Sequence, residues 1–211
     1  DLPEAAAIAG PLRAAGAAID ALVAAFPHFD AIAVAAREAL AQIRAARSDC
    51  PEAARAMVLH RLQAKEDQLG HILRLALGIE ARARTADMWL HPGDSTGLHV
   101  EFDPADSAAQ LAFDLPQGWA VRDGSLTLTP GAALTDPYRP AYDPLVPPAP
   151  ALLVQMDGAS ARLGFDDPPV VLPPVLADLS PARAVVNGAQ PNRTVAIAVT
   201  GLRPHDADAQ L

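Results

Sequence analysis

Cysteine, lysine and aromatic side chains are all scarce in this sequence. Cys50 is the single cysteine among 211 residues. One thiol cannot close an internal disulfide or build a thiolate metal cluster. Its neighbours Asp49 and Pro51 supply no cation to lower a thiol pKa, so Cys50 reads as an incidental residue at a helix junction, not a nucleophile. Lys65 is the only lysine, and the formal net charge is −9. Nucleic-acid binding depends on clustered Lys and Arg that release counterions from phosphate, so nucleic acid is not an expected partner. The same sign disfavours anionic membrane surfaces. On a reading for unbroken apolar residues, no run approaches the roughly 18–20 residues of a transmembrane helix, and no membrane span is expected. The opening DLPEAAAIAG lacks a basic n-region, so no signal peptide is visible. A processed or excised chain, and with it an extracytoplasmic location, stays open.

The supply of aliphatic residues is ample: 51% of the chain is hydrophobic, though only 4% is aromatic. Much of the apolar content is alanine, so the core is expected to be thin and built from Leu, Val and Ile. The length suits one large domain or two small ones.

Residues 4 to about 78 carry helical patterning in three segments. The first ends near Phe26-Pro27, because proline pushes its predecessor out of the α region. The second runs from about Phe29 to Arg47 with Asp30 as its N-cap. The third begins near Asp49, has Pro51 and Glu52 in its first turn, and ends at Gly78. On that third helix Val58, Leu62, Leu69, Ile72, Leu73 and Ala76 share one face. Lys65 sits within the stripe, where it is expected to snorkel to water, and Glu66 lies on its border.

After Gly78 the period changes to two. Ile79, Ala81 and Ala83 alternate with Glu80, Arg82 and Arg84. Further strands are expected at 98–102, 109–113, 125–129, 151–156, 159–165, 169–172 and 194–200, separated by turn sequences such as PGDSTG, PQG and MDG. Prolines crowd 137–150 and 168–174 as extended connections or edge strands. The expected fold is therefore α+β. A helical segment over 1–78 is followed by an Ig-like antiparallel β-sandwich over 79–211, with a division after about 175 left open.

No assembled catalytic site emerges. His60, Asp67 and His71 share a helix face, but the two imidazoles are about 16 Å apart along the axis, too far for one metal ion. His91-Pro92-Gly93-Asp94 superficially resembles the HPDD core of a zinc deacetylase, yet Gly93 replaces one acid and the first shell cannot be completed nearby. It reads instead as a turn. Asp166-Asp167 lacks calcium-site spacing and reads as a solvated turn. Trp119, Tyr138 and Tyr142, with Trp89, are the candidates for a sugar-stacking surface, although tryptophan in a small sandwich is more often core. Asn192-Arg193-Thr194 is a glycosylation sequon, relevant only in a eukaryotic secretory setting. No GxSxG, P-loop, dinucleotide fingerprint, HExxH or CxxC occurs, and neither metal nor cofactor is expected.

The runs RLQAKEDQLGHILRLALGIEARA (61–83) and MWLHPGDSTGLHVEF (88–102) resemble the region downstream of the catalytic domain in long bacterial PIG-L/LmbE-family proteins. Lys65, Gln68, Leu69, Ala76, Leu77 and Gly78 carry the first part of the likeness, and Pro92, Gly93, Asp94 and Ser95 the second. Shorter echoes occur at LPQGW, DPYRPAYDP and VVLPPVLADLSPARAVV. The resemblance implies a helical segment leading into an Ig-like module, with zinc-dependent amino-sugar deacetylation residing in a separate domain. No catalytic residue is carried over. The expectation is an accessory region whose helices dock on a catalytic domain and whose sandwich positions substrate or binds glycan. An independent extracellular carbohydrate-binding or adhesion module and a stand-alone metal-dependent hydrolase are the alternatives.

Overall fold

The computed structural model describes residues 3–105, 108–135, 149–173, 175–180 and 196–201. A 3-10 turn at Pro3–Ile8 leads into α1 (Ala9–Ala24), α2 (Phe29–Ser48) and α3 (Glu52–Ala76). Pro11 accounts for the tighter first turn: it has no N–H to donate to the carbonyl four residues back, so the α ladder cannot start earlier. Asp30 is not the N-cap of α2. That position belongs to His28, whose carbonyl accepts the Ile32 N–H at 3.0 Å, while Asp30 sits in the first turn where it complements the helix dipole. Asp49 closes α2, donating its N–H to the Ala45 carbonyl, and α3 starts after the Pro51 cap.

Helix α3 ends as its sequence dictates. Gly78 adopts φ +66°, a conformation that costs a residue without Cβ little. The Ile79 N–H reaches the Arg74 carbonyl and the Gly78 N–H reaches Leu75, both at 3.1 Å. These two bonds form the paired closure of a Schellman cap.

Beyond it lie β1 (Glu80–Thr85), β2 (Trp89–Leu90), β3 (Ser95–Asp103), β4 (Gln110–Asp114), β5 (Trp119–Arg122), β6 (Ser125–Leu128), β7 (Ala151–Met156), β8 (Ala159–Gly164), β9 (Val170–Val171), β10 (Val175–Ser180) and β11 (Ala196–Gly201). They form antiparallel sheets in the orders β1-β3-β6-β5, β4-β7-β8 and β10-β11, with a short parallel β2-β9 pair. Three helices followed by antiparallel sheets make this an α+β chain. Strands β2, β5 and β10 were absent from the sequence expectation. β2 is two residues long, β5 starts immediately after the PQG turn, and β10 follows a proline-rich run. Each lacks the alternating stretch that period counting needs.

The helices and sheets share a core. Along β7, Leu152, Val154 and Met156 point to one side. Val154 and Met156 pack with Leu62, Leu69 and Leu73 of α3. Leu152 packs instead with Ala83, Leu98 and Val100 of β1 and β3. One face of the β4-β7-β8 sheet is therefore covered by α3 toward one end and by the second sheet toward the other. The close approach of α3 rests on Gly70, where an added Cβ would overlap the Ser160 backbone oxygen. Helix α3 thus shields β8, an edge strand in its sheet.

The core has the expected Leu, Ile and Val, and its helical part adds the small residues Ala15, Ala18, Ala33, Ala36, Ala39 and Ala46 between the helices. Alanine lets helix backbones approach closely but covers little area, which leaves α1 largely uncovered. One expectation needs correcting: Ala6–Ala24 is long and apolar enough to cross a membrane by length and composition, with a mean hydropathy of 1.4 and only 17% of it buried. Its many alanines, interrupted by Arg13 and Asp20, hide that property from a search for unbroken bulky runs.

Candidate functional site

Trp119 is half-buried on β5 and packs against the cluster of Leu90, Leu126, Leu128, Ala132 and Val171. Its indole Nε1 is buried without a hydrogen-bond partner. Tyr138 and Tyr142 lie outside the described residues. The exposed indole is that of Trp89, at 61% of its surface.

His91-Pro92-Gly93-Asp94 forms a turn. The Asp94 N–H donates to the His91 carbonyl at 3.0 Å, and Gly93 has φ +90°. Proline followed by a positive-φ glycine at the two central positions is the type II signature. The Asp94 carboxylate accepts the His91 N–H at 2.6 Å and lies 3.3 Å from Nδ1, so both motif side chains serve the turn itself. The Asp94 carbonyl accepts the Leu128 N–H, fixing the turn to β6.

Along α3, His60 is exposed and Asp67 accepts from the Gln63 amide at 2.9 Å. His71 is half-buried, and burial, reinforced by the nearby Arg74 charge, holds its pKa below the ordinary 6.5. Burial also lowers the Arg74 pKa, with Glu80 acting in the opposite direction. Arg74 donates to the Ile79 carbonyl at 2.6 Å, adding a side-chain bond to the helix cap. Lys65 reaches outward to Gln68 at 2.9 Å and is exposed, as snorkelling requires. Cys50 is buried, and Asp166 and Asp167 occupy an exposed bend. The sequon at 192–194 falls outside the described residues. Among the described residues no group of three or more His, Cys, Asp and Glu side chains converges as a metal site.

The main charged constellation joins residues far apart in the chain. Glu66, with a side chain only 14% exposed, accepts Arg44 Nε on one oxygen at 2.8 Å and Arg47 on the other at 2.6 Å. Arg44 also donates to the Gly158 carbonyl at 2.8 Å, and Arg37 pairs with Asp157 at 2.5 Å. Asp157 and Gly158 both have positive φ and form the two-residue turn between β7 and β8. Arginines of α2 therefore grip the tip of that hairpin. The adjoining open cleft, about 510 Å³, is bordered by Arg44, Glu66, Gln110, Gln155 and Ser160. The MDG turn and the border position of Glu66 were legible in sequence. Their meeting was not, since Arg44 and Gly158 are 114 residues apart.

Large apolar side chains are exposed on a different surface. At the end of the helical layer, Phe26 is 72% exposed and Phe29 55%, with Val34 on the outer side of α2 also exposed. Phe26 and Phe29 flank the Pro27-His28 connection, whereas Val34 lies five residues further on and about 140° around α2 from Phe29.

No known protein family, curated protein or solved structure matches the chain.

Proposed function

We propose that this chain is a non-catalytic accessory region of a larger amino-sugar deacetylase of the PIG-L/LmbE type, in which an Ig-like β-sandwich is carried beside a helical docking layer. The exposed rings of Phe26 and Phe29, at the connection between α1 and α2, carry the reading, because they offer a partner domain apolar surface that water disfavours. The locations of the resembling residues support it. Ala76, Leu77 and Gly78 close the last helix, and Pro92 to Ser95 turn into β3, the order expected of a helical segment opening into such a module. The core shared by β1, β3 and β7 is of the kind a sandwich has between its sheets.

The test is expression of the complete source gene and assay of zinc-dependent acetate release from N-acetylglucosamine conjugates. Activity is expected in the complete product and not in this chain alone. Phe26→Asp with Phe29→Asp is expected to lower that activity several-fold while leaving the fold's thermal melt in place. Hydrolysis by this chain alone, or a complete product without deacetylase activity, refutes the proposal.

A second reading, an independent carbohydrate-binding or adhesion module, draws on the exposed ring of Trp89. Glycan-array binding by this chain, abolished by Trp89→Ala, would favour it.

A further inference from the structure

Helix α1 is covered along only one stripe. Ala15 and Ala18 are buried, with Ile19 and Leu22 packed beside them, whereas Gly10, Arg13, Gly16, Ala17, Asp20 and Val23 are exposed. The open face is apolar except for two opposite charges. Arg13 and Asp20 are seven residues apart, so they lie on the same side of the helix, about 10.5 Å apart along its axis. That spacing exceeds the three- or four-residue separation at which side chains on one helix pair. Asp20 has no hydrogen-bond or ion-pair partner among the described residues, and Arg13 only leans back on the Ala9 carbonyl at 3.3 Å.

The pattern is self-complementary. We propose that α1 pairs antiparallel with α1 of a second copy of this chain about a two-fold axis between Gly16 and Ala17. In that register Arg13 meets the partner's Asp20, and Asp20 meets the partner's Arg13, as a closed two-fold interface requires. Gly16 and Ala17 lie at the crossing, and a Cβ added at Gly10 or Gly16 meets nothing within 4 Å, so the helices can approach closely. Val23, 68% exposed, falls opposite the partner's Gly10 and fills the space that glycine leaves. One helix pair buries less than the roughly 800 Å² per partner of a standard interface, so the dimer's dissociation constant is expected on the order of micromolar. The contact uses the outer side of α1 and leaves Phe26 and Phe29 at the bundle end, so it does not depend on the docking reading above.

The test is light scattering and sedimentation equilibrium of the chain across the micromolar range. The expected mass rises from the 21.9 kDa monomer toward twice that value. Arg13→Asp and Asp20→Arg are each expected to weaken association at least tenfold, by placing like charges in contact twice over. The double swap restores it, because both reciprocal pairs re-form, and circular dichroism checks that all variants fold. A chain monomeric throughout, a dimer indifferent to the single swaps, or a double swap that fails to restore association overturns the proposal. So does a monomer that instead pellets with phosphatidylcholine vesicles, which would give α1's apolar face to a membrane.

Discussion

Gly70→Ala separates packing from helix propensity by the sign of its effect. Gly70 lies well inside the 25-residue α3, where alanine is normally favoured over glycine by about 1 kcal/mol. Propensity alone therefore predicts a more stable protein. The structure predicts the reverse. An added Cβ overlaps the Ser160 backbone oxygen and lies 3.1 Å from its carbonyl carbon. A strand carbonyl cannot rotate away as a side chain can, so α3 must move off β8. That movement loosens Leu69 and Leu73 against Ala159 and Ala161. Overpacking of this kind costs about 1–3 kcal/mol, and a backbone obstacle places it at the upper end. Subtracting the propensity gain leaves a net destabilisation of about 2 kcal/mol. With an m-value of ~2 kcal/mol/M, the urea midpoint should fall by about 1 M. A midpoint unchanged or raised would refute the close seating of α3 on β8. Gly16→Ala is the control: nothing stands near its added Cβ, so a gain of up to about 1 kcal/mol is expected in the monomer.

Further outcomes follow from the same structure. Glu66→Ala strands two arginine charges, but Arg44 and Arg47 are 35% and 42% exposed and can turn to water, so urea melts should show a loss of about 2 kcal/mol, below the 3–5 of a fully buried pair. Folding holds the pKa of His71 down, so below 6.5 the unfolded chain binds this proton more readily and the fold loses stability until pH passes below the folded pKa; His71→Gln should remove that part of the slope when urea midpoints are compared between about pH 7.5 and 5. Gly93→Ala should cost about 1–2 kcal/mol, since Gly93 holds φ +90°, and elemental analysis should find no stoichiometric zinc that His91→Ala removes.

Local chemistry was legible in the sequence; long-range pairing was not. The α3 stripe of Leu62, Leu69 and Leu73 shows in the helical period of its apolar residues, and its closure at Gly78 and the turn at His91–Asp94 rest on contacts within a few residues, so the sequence carries all three directly. The start of α2 at Phe29 was legible and only its cap was misassigned, because Asp30 is a good capping residue in isolation, while His28 already supplies the carbonyl that begins the ladder. Gly70 gave no warning of its role: a glycine inside a helix is only a weak spot until a strand is placed against it. The grip of Arg37 and Arg44 on the β7–β8 turn spans over a hundred residues and has no periodic signature. Among the aromatic candidates, burial distinguishes Trp119 from Trp89, and burial is a property of the assembled core.

The proposed role is tested most directly by the polypeptide that carries this sequence in its source cells. Antibodies raised against the chain should precipitate a product well above 21.9 kDa that releases acetate from N-acetylated amino-sugar conjugates and loses that activity on zinc chelation. Recovery of a 21.9 kDa polypeptide, or of a larger one without deacetylase activity, would contradict the account.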